Sequence, residues 1–188
     1  LARHAGAGAS AVLATIAAET GAKRVHAHHH YEAWQRRAES DVAARLDLVL
    51  HDGNYLAPPE IIRNGQGERY RVFTPWYRRL LEHMPPAMPL PAPERIATPA
   101  GLPASDALSD WALLPTSPDW STGFGEWQPG EKGAWRRWRD FVEVIDAYKA
   151  ERDFPAIAAT SKLSPHIHFG EISPRSLWYG LLDSHGEG

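Results

Sequence analysis

Near its end the chain reads "TSKLSPHIHFGEISPR", which places two hydroxyl residues, a lysine, a further serine and two Ser-Pro pairs between Thr160 and Arg175. Hydroxyls and an ammonium group are side chains that bind phosphate oxygens. A helix start adds unpaired backbone N–H groups and a partial positive charge. Ser164-Pro165 and Ser173-Pro174 each have the form of an N-cap followed by proline in the first turn, where the missing N–H costs nothing. Thr160, Ser161, Lys162 and Ser164 are therefore candidates for an anion cradle. Tyr148, earlier in the chain, could cover a ligand with its ring and bond a phosphate through its hydroxyl. Arg152, one helical turn further, adds a cation. The same pattern also describes two capped helices without a ligand, and spacing alone leaves both readings open.

These residues need helices to hold them. In "PGEKGAWRRWRDFVEVIDAYKAERDF", Ala134, Trp138, Phe141, Ile145 and Tyr148 fall at alternating steps of four and three, which predicts one continuous helix with an apolar stripe. Pro155 ends the pattern. Arg136, Arg137 and Arg139 lie off the stripe and read as a solvated face, with DNA contact a secondary possibility. Gly170 is placed to close the helix that starts near Ser164, and Leu177, Trp178, Leu181 and Leu182 would form the inner face of the next. This last part is all-helical, with Trp135 and Trp138 expected in core or contact positions rather than as redox relays.

The beginning has a different rhythm. Residues 1–20 are Ala-rich with Val12, Leu13 and Ile16 at helical spacing, and Gly21 is a natural stop. "AKRVHAHHHY" reads as a short strand, "EAWQRRAESDVAARL" as a helix with Trp34, Ala38, Val42 and Leu46 toward a core, and "DLVLHDG" as a second strand. Helix–strand–helix–strand is the order of a parallel α/β sheet. Between the two parts, "MPPAMPLPAPERIATPAGLP" is proline-dense and aperiodic, as a semi-rigid connector would be. "RVFTPWYRRLLEH" precedes it as a short amphipathic piece anchored by Trp76, Leu80 and Leu81. His26, His28 and His30 would share one strand face, but no carboxylate at diagnostic spacing accompanies them, so no metal site is expected.

Composition narrows the class. With 43% apolar and 23% charged residues the chain can form a packed core. It has no cysteine, which excludes disulfides and thiolate metal sites and fits a cytoplasmic location. No apolar run is long enough to span a bilayer. A net charge of −3 excludes a wholly basic nucleic-acid binder but not a local basic face. The first residue is Leu, so the sequence is expected to be an excerpt of a longer protein.

"YKAERDFPAIAATSKLSPHIHFGEISPR" closely resembles the start of the flavin-binding helical domain of the DNA photolyase/cryptochrome family. "VFTPWYRRLLEHMPP" and "PDWSTGFGEWQPGEKGAW" are similar to its interdomain segment, and "GAKRVHAHHHYEAWQRRAESDV" to the later part of its N-terminal antenna domain. The resemblance implies an α/β plus all-α architecture: part of a Rossmann-like antenna domain over 1–57, a long interdomain linker over 58–128, and the start of the helical FAD-binding domain over 129–188. It implies that Tyr148, Thr160, Ser161, Lys162, Leu163 and Ser164 hold the phosphates and ribityl part of FAD, Leu163 through its backbone, and that Arg152 contacts DNA near the lesion. The activity implied is light-dependent splitting of cyclobutane pyrimidine dimers, with UV-damaged DNA as partner, by a monomer that does not enter a membrane. A cryptochrome-like photoreceptor is the alternative. The ring-contacting, dimer-pocket and electron-transfer residues would follow Gly188, so no catalytic residue is assigned. A second antenna chromophore, folate or deazaflavin, stays open; Trp34 and Gln35 stand where some relatives carry an Asn-Glu pair that grips folate.

Overall fold

The computed structural model describes residues 8–185, so the first seven residues of the expected opening helix lie outside the described residues. The chain divides into two compact units, each assembled from two stretches: 1–52 with 91–125, and 53–90 with 126–188.

In the first unit, α1 (Ala9–Thr20) ends at Gly21, whose φ of +71° is the left-handed conformation that glycine adopts without a Cβ penalty. Strand β1 (Val25–His28) follows, then α2 (Ala33–Ala43) and β2 (Leu48–His51). The strands run parallel, with Val25 opposite Leu48 and His28 opposite His51. The α/β order expected from the sequence is what forms. Val25 and Ala27 are more buried than His26 and His28, as period-2 alternation requires.

Two details differ from expectation. Trp34 does not face the core; it is 64% exposed. Steps of four residues advance a helix by about 400°, so an i, i+4, i+8 series drifts around the cylinder. The inner face is instead Gln35, Ala38, Glu39 and Val42, which line a cavity of about 200 Å³ with Leu13, Val25, Ala27 and Leu48. Glu39 holds this inner position because its carboxylate accepts the His30 amide at 2.7 Å and pairs with His29 at 3.1 Å. The histidine run is also divided. β1 ends at His28, and His26 bonds His51 ring to ring, Nδ1 to Nε2 at 2.8 Å. No cluster of three metal-ligating side chains occurs among the described residues.

The second unit is helical among its described residues: α3 (Phe73–Leu81), α4 (Glu131–Val142), α5 (Tyr148–Glu151), α6 (Ser164–His168) and α7 (Pro174–His185). Its core contains Ile62, Ala134, Trp138, Ala159, Leu163 and Ile172. The continuous helix predicted through Tyr148 is broken. α4 stops at Val142, and a 3₁₀ turn over Ile145–Ala147 leads into α5. Val142, Val144 and Ile145 are β-branched and crowd the preceding turn, which weakens the helix where the stripe would continue. α4 and α7 pack closely because Gly180 has no side chain: a Cβ there would sit 3.1 Å from Trp138 Nε1 and 3.6 Å from the Trp135 ring. The Tyr179 hydroxyl donates to the Pro86 carbonyl at 2.7 Å, which ties α7 to the proline-dense stretch after α3.

Candidate cofactor site

The loop between α5 and α6 is fixed at two points. Ala159 is 2% exposed and Leu163 3% exposed, so two apolar side chains anchor the backbone on either side of Thr160, Ser161 and Lys162. Those three residues are turned to a cleft of about 160 Å³. Its other lining is Arg137, Asp140 and Phe141 on α4, Val144 just after that helix, and Ala158 from the loop. Lys162 has a φ of +49°, a left-handed conformation that is uncommon outside glycine and asparagine. Backbone of this kind costs energy and is held in place only where the surroundings determine it.

The structure brings Thr160, Ser161 and Lys162 to one cleft, but not every expected residue. Tyr148 opens α5 and meets the cleft indirectly, with its ring edge-on to Phe141 at 5.8 Å. Arg152 places its guanidinium 5.5 Å from the centre of the Tyr148 ring and lies 3.9 Å from Asp153. Leu163 turns its side chain into the core. Ser164 is the first residue of α6 rather than its cap; Leu163 takes the cap position and no side-chain capping bond forms. Since α6 has only five residues, its dipole adds little, and the side chains carry the electrostatics of the loop. Ser173 does cap its helix, accepting the Arg175 amide at 3.2 Å.

A second cluster joins α6 to the start of α4. Gly170 has a φ of +68° and closes α6, with the Glu171 amide donating to the His166 carbonyl at 2.8 Å. This turn folds Glu171 back onto His166, which is 3% exposed and lies 2.5 Å from the carboxylate through Nδ1. The Glu171 carboxyl is held below the usual carboxylate range, first by the Gly130 amide at the start of α4 and then by the His166 hydrogen bond. Trp127 packs 6.3 Å from the His166 ring and carries the Arg137 guanidinium 4.2 Å from its ring centre. The sequence gives His166 and His168 no visible distinction; the Gly170 turn selects His166. His168 stays exposed, edge-on to Phe169.

Two hydroxyls, an ammonium and a guanidinium beside an aromatic wall fit a ligand that joins a phosphate group to a larger apolar part. The donor set therefore suits the phosphate region of a dinucleotide.

Residues 3–94 match the family model described as DNA photolyase. The deoxyribodipyrimidine photo-lyase of Agrobacterium fabrum is 36% identical over 178 residues, covering 91% of this chain and 37% of that protein. The crystal structure of a bacterial class III photolyase from Agrobacterium tumefaciens matches with a TM-score of 0.85 at 35% identity, over 97% of this chain and 40% of that one. A Synechocystis sp. PCC6803 cryptochrome matches with a TM-score of 0.65 at 18% identity, over 93% of this chain and 38% of that one, a likeness of fold alone. Residues 3–94 thus carry a DNA photolyase family domain, the chain is similar over most of its length to photolyases, and it spans well under half the length of each of these proteins.

Proposed function

We propose that this chain contributes the phosphate-holding part of an FAD site to a deoxyribodipyrimidine photolyase, which repairs pyrimidine dimers in UV-damaged DNA under light. The observation that carries this reading is the Thr160–Lys162 loop, anchored at Ala159 and Leu163 and turned to a cleft against α4. FAD, when bound, supplies light absorption and the transferred electron. The residues of this chain bind and orient it. Thr160 and Ser161 donate hydroxyl hydrogen bonds to phosphate oxygens, and Lys162 supplies a full charge. Leu163 and Ser164 contribute at the start of α6, and Tyr148 adjoins the cleft through its edge-on contact with Phe141. Arg152, stacked on Tyr148 and half exposed, is assigned to the DNA backbone. The antenna domain, its chromophore and the boundaries 1–57, 58–128 and 129–188 belong to the same reading.

The test replaces Thr160 and Ser161 with Ala in the protein expressed at the full length of its relatives. Each hydrogen bond to a charged group is worth about 1.5–3 kcal/mol, so FAD affinity should fall by about tenfold or more while helix content stays the same. Absorbance of bound flavin after gel filtration, compared with far-UV circular dichroism, measures both. Full flavin retention in the double variant would remove the loop from the site.

A further inference from the structure

Resting on the flavin reading above, we propose that Arg137 is a second cation of the same cleft, placed on α4 to bind the FAD diphosphate from the side facing Thr160, Ser161 and Lys162. Arg137 lines the cleft with Asp140 and Phe141, the i, i+3 and i+4 positions of one face of α4, and with Val144 just after the helix. This face is distinct from the buried positions Ala134 and Trp138, so Arg137 is not needed for the core stripe.

Its orientation is fixed by an aromatic ring and not by an acid. The guanidinium carbon lies 4.2 Å from the centre of the Trp127 ring. Trp127 in turn packs against buried His166, which Glu171 holds, and the Glu171 carboxylate also receives the Gly130 amide at the start of α4. Both ends of this frame therefore belong to elements that carry the cleft. Neither Arg137 nor Lys162 forms an ion pair among the described residues, although Asp140 is on the same lining. A stacked guanidinium keeps its in-plane N–H groups for another partner, and its planar fork suits two phosphate oxygens at once. Two cations and two hydroxyls against one exposed carboxylate leave the cleft with an excess of positive charge. A diphosphate matches that excess, whereas riboflavin, with no phosphate, gains nothing from it.

The experiment uses the full-length protein with its flavin removed, titrated with FAD and with riboflavin. Arg137→Gln is expected to weaken FAD binding by about tenfold or more and to leave riboflavin binding unchanged, so the preference for FAD over riboflavin falls by that factor. Arg137→Lys keeps the charge without the planar fork and should lower the same preference by a smaller factor. An unchanged preference in Arg137→Gln, or in Arg137→Lys should the glutamine variant fail to fold, overturns the proposal. So does a parallel loss of both flavins, which would make Arg137 a packing partner of Trp127. If Thr160→Ala/Ser161→Ala loses FAD while Arg137→Gln keeps it, the loop remains in the site and only Arg137 leaves it. If all variants keep FAD, both readings fail together.

Discussion

Glu171 serves three partners at once: its own turn, the His166 ring and the Gly130 amide. The charge on its carboxylate is what the last two reward, and this is why its pKa is lowered. A carboxyl that titrates lower in the folded than in the unfolded state stabilises the fold fully above its ordinary value, near ~4.3. That contribution is lost as pH falls through the lower folded value. Glu171→Gln can still accept the Gly130 amide but carries no charge. The variant should therefore melt below the parent at pH 7, and the gap between them should narrow on acidification toward pH 3. Thermal melts across that range check the sign. A gap that stays constant with pH would assign Glu171 a purely steric role.

Helix α4 offers a sharper test at the scale of an element, because its entry is set by backbone contact. A Cβ at Gly133 would lie 1.8 Å from the Gln128 carbonyl oxygen and 2.8 Å from its carbonyl carbon, so the 128–130 turn is closed directly onto the first turn of the helix. Gly133→Ala would gain about 1 kcal/mol of helix propensity. It must also displace backbone, and overpacking of this kind costs about 1–3 kcal/mol or more. A lower thermal midpoint is expected, together with weaker flavin retention, since the turn carries Gly130 and lies next to Trp127. A melt at or above the parent midpoint would mean that the turn moves freely. The sequence carries no sign of this close approach, since any glycine near a helix start reads as a cap. What was legible is instructive by contrast. The parallel β1–α2–β2 order was readable because strand alternation and helix punctuation act locally. So was the Gly170 stop. The α4–α5 break and the exposure of Trp34 were not, because uniform steps of four mimic a buried stripe, and three β-branched residues act only through crowding of their neighbours. Within the cleft, Thr160, Ser161 and Lys162 stood out by type. Arg137 did not, because a helix arginine off the apolar stripe looks like any solvated cation until Trp127 is found beneath it.

At the scale of the whole chain, its net charge of −3 means that, on the proposed function, any pull these residues exert on a DNA backbone is local, so individual cations here should show up one by one in salt titrations. Arg152 is suited to this role: half exposed, stacked over Tyr148, and only loosely matched by Asp153 at 3.9 Å in the open. A surface pair at that separation in water is worth little, so Arg152 remains available to a phosphate. If it contacts one phosphate near the lesion, Arg152→Ala in the full-length protein should weaken binding to dimer-containing duplex. The slope of log affinity against log salt should become shallower by about 0.9, the release of one phosphate's counterion. Because Arg152 is not among the residues that line the Thr160–Lys162 cleft, FAD content in the same sample should be unchanged. Filter-binding or fluorescence anisotropy at several salt concentrations gives the slope, and flavin absorbance gives the content. An unaltered slope would return Arg152 to the packing of Tyr148, and a loss of flavin with an unaltered slope would move it into the cofactor site instead.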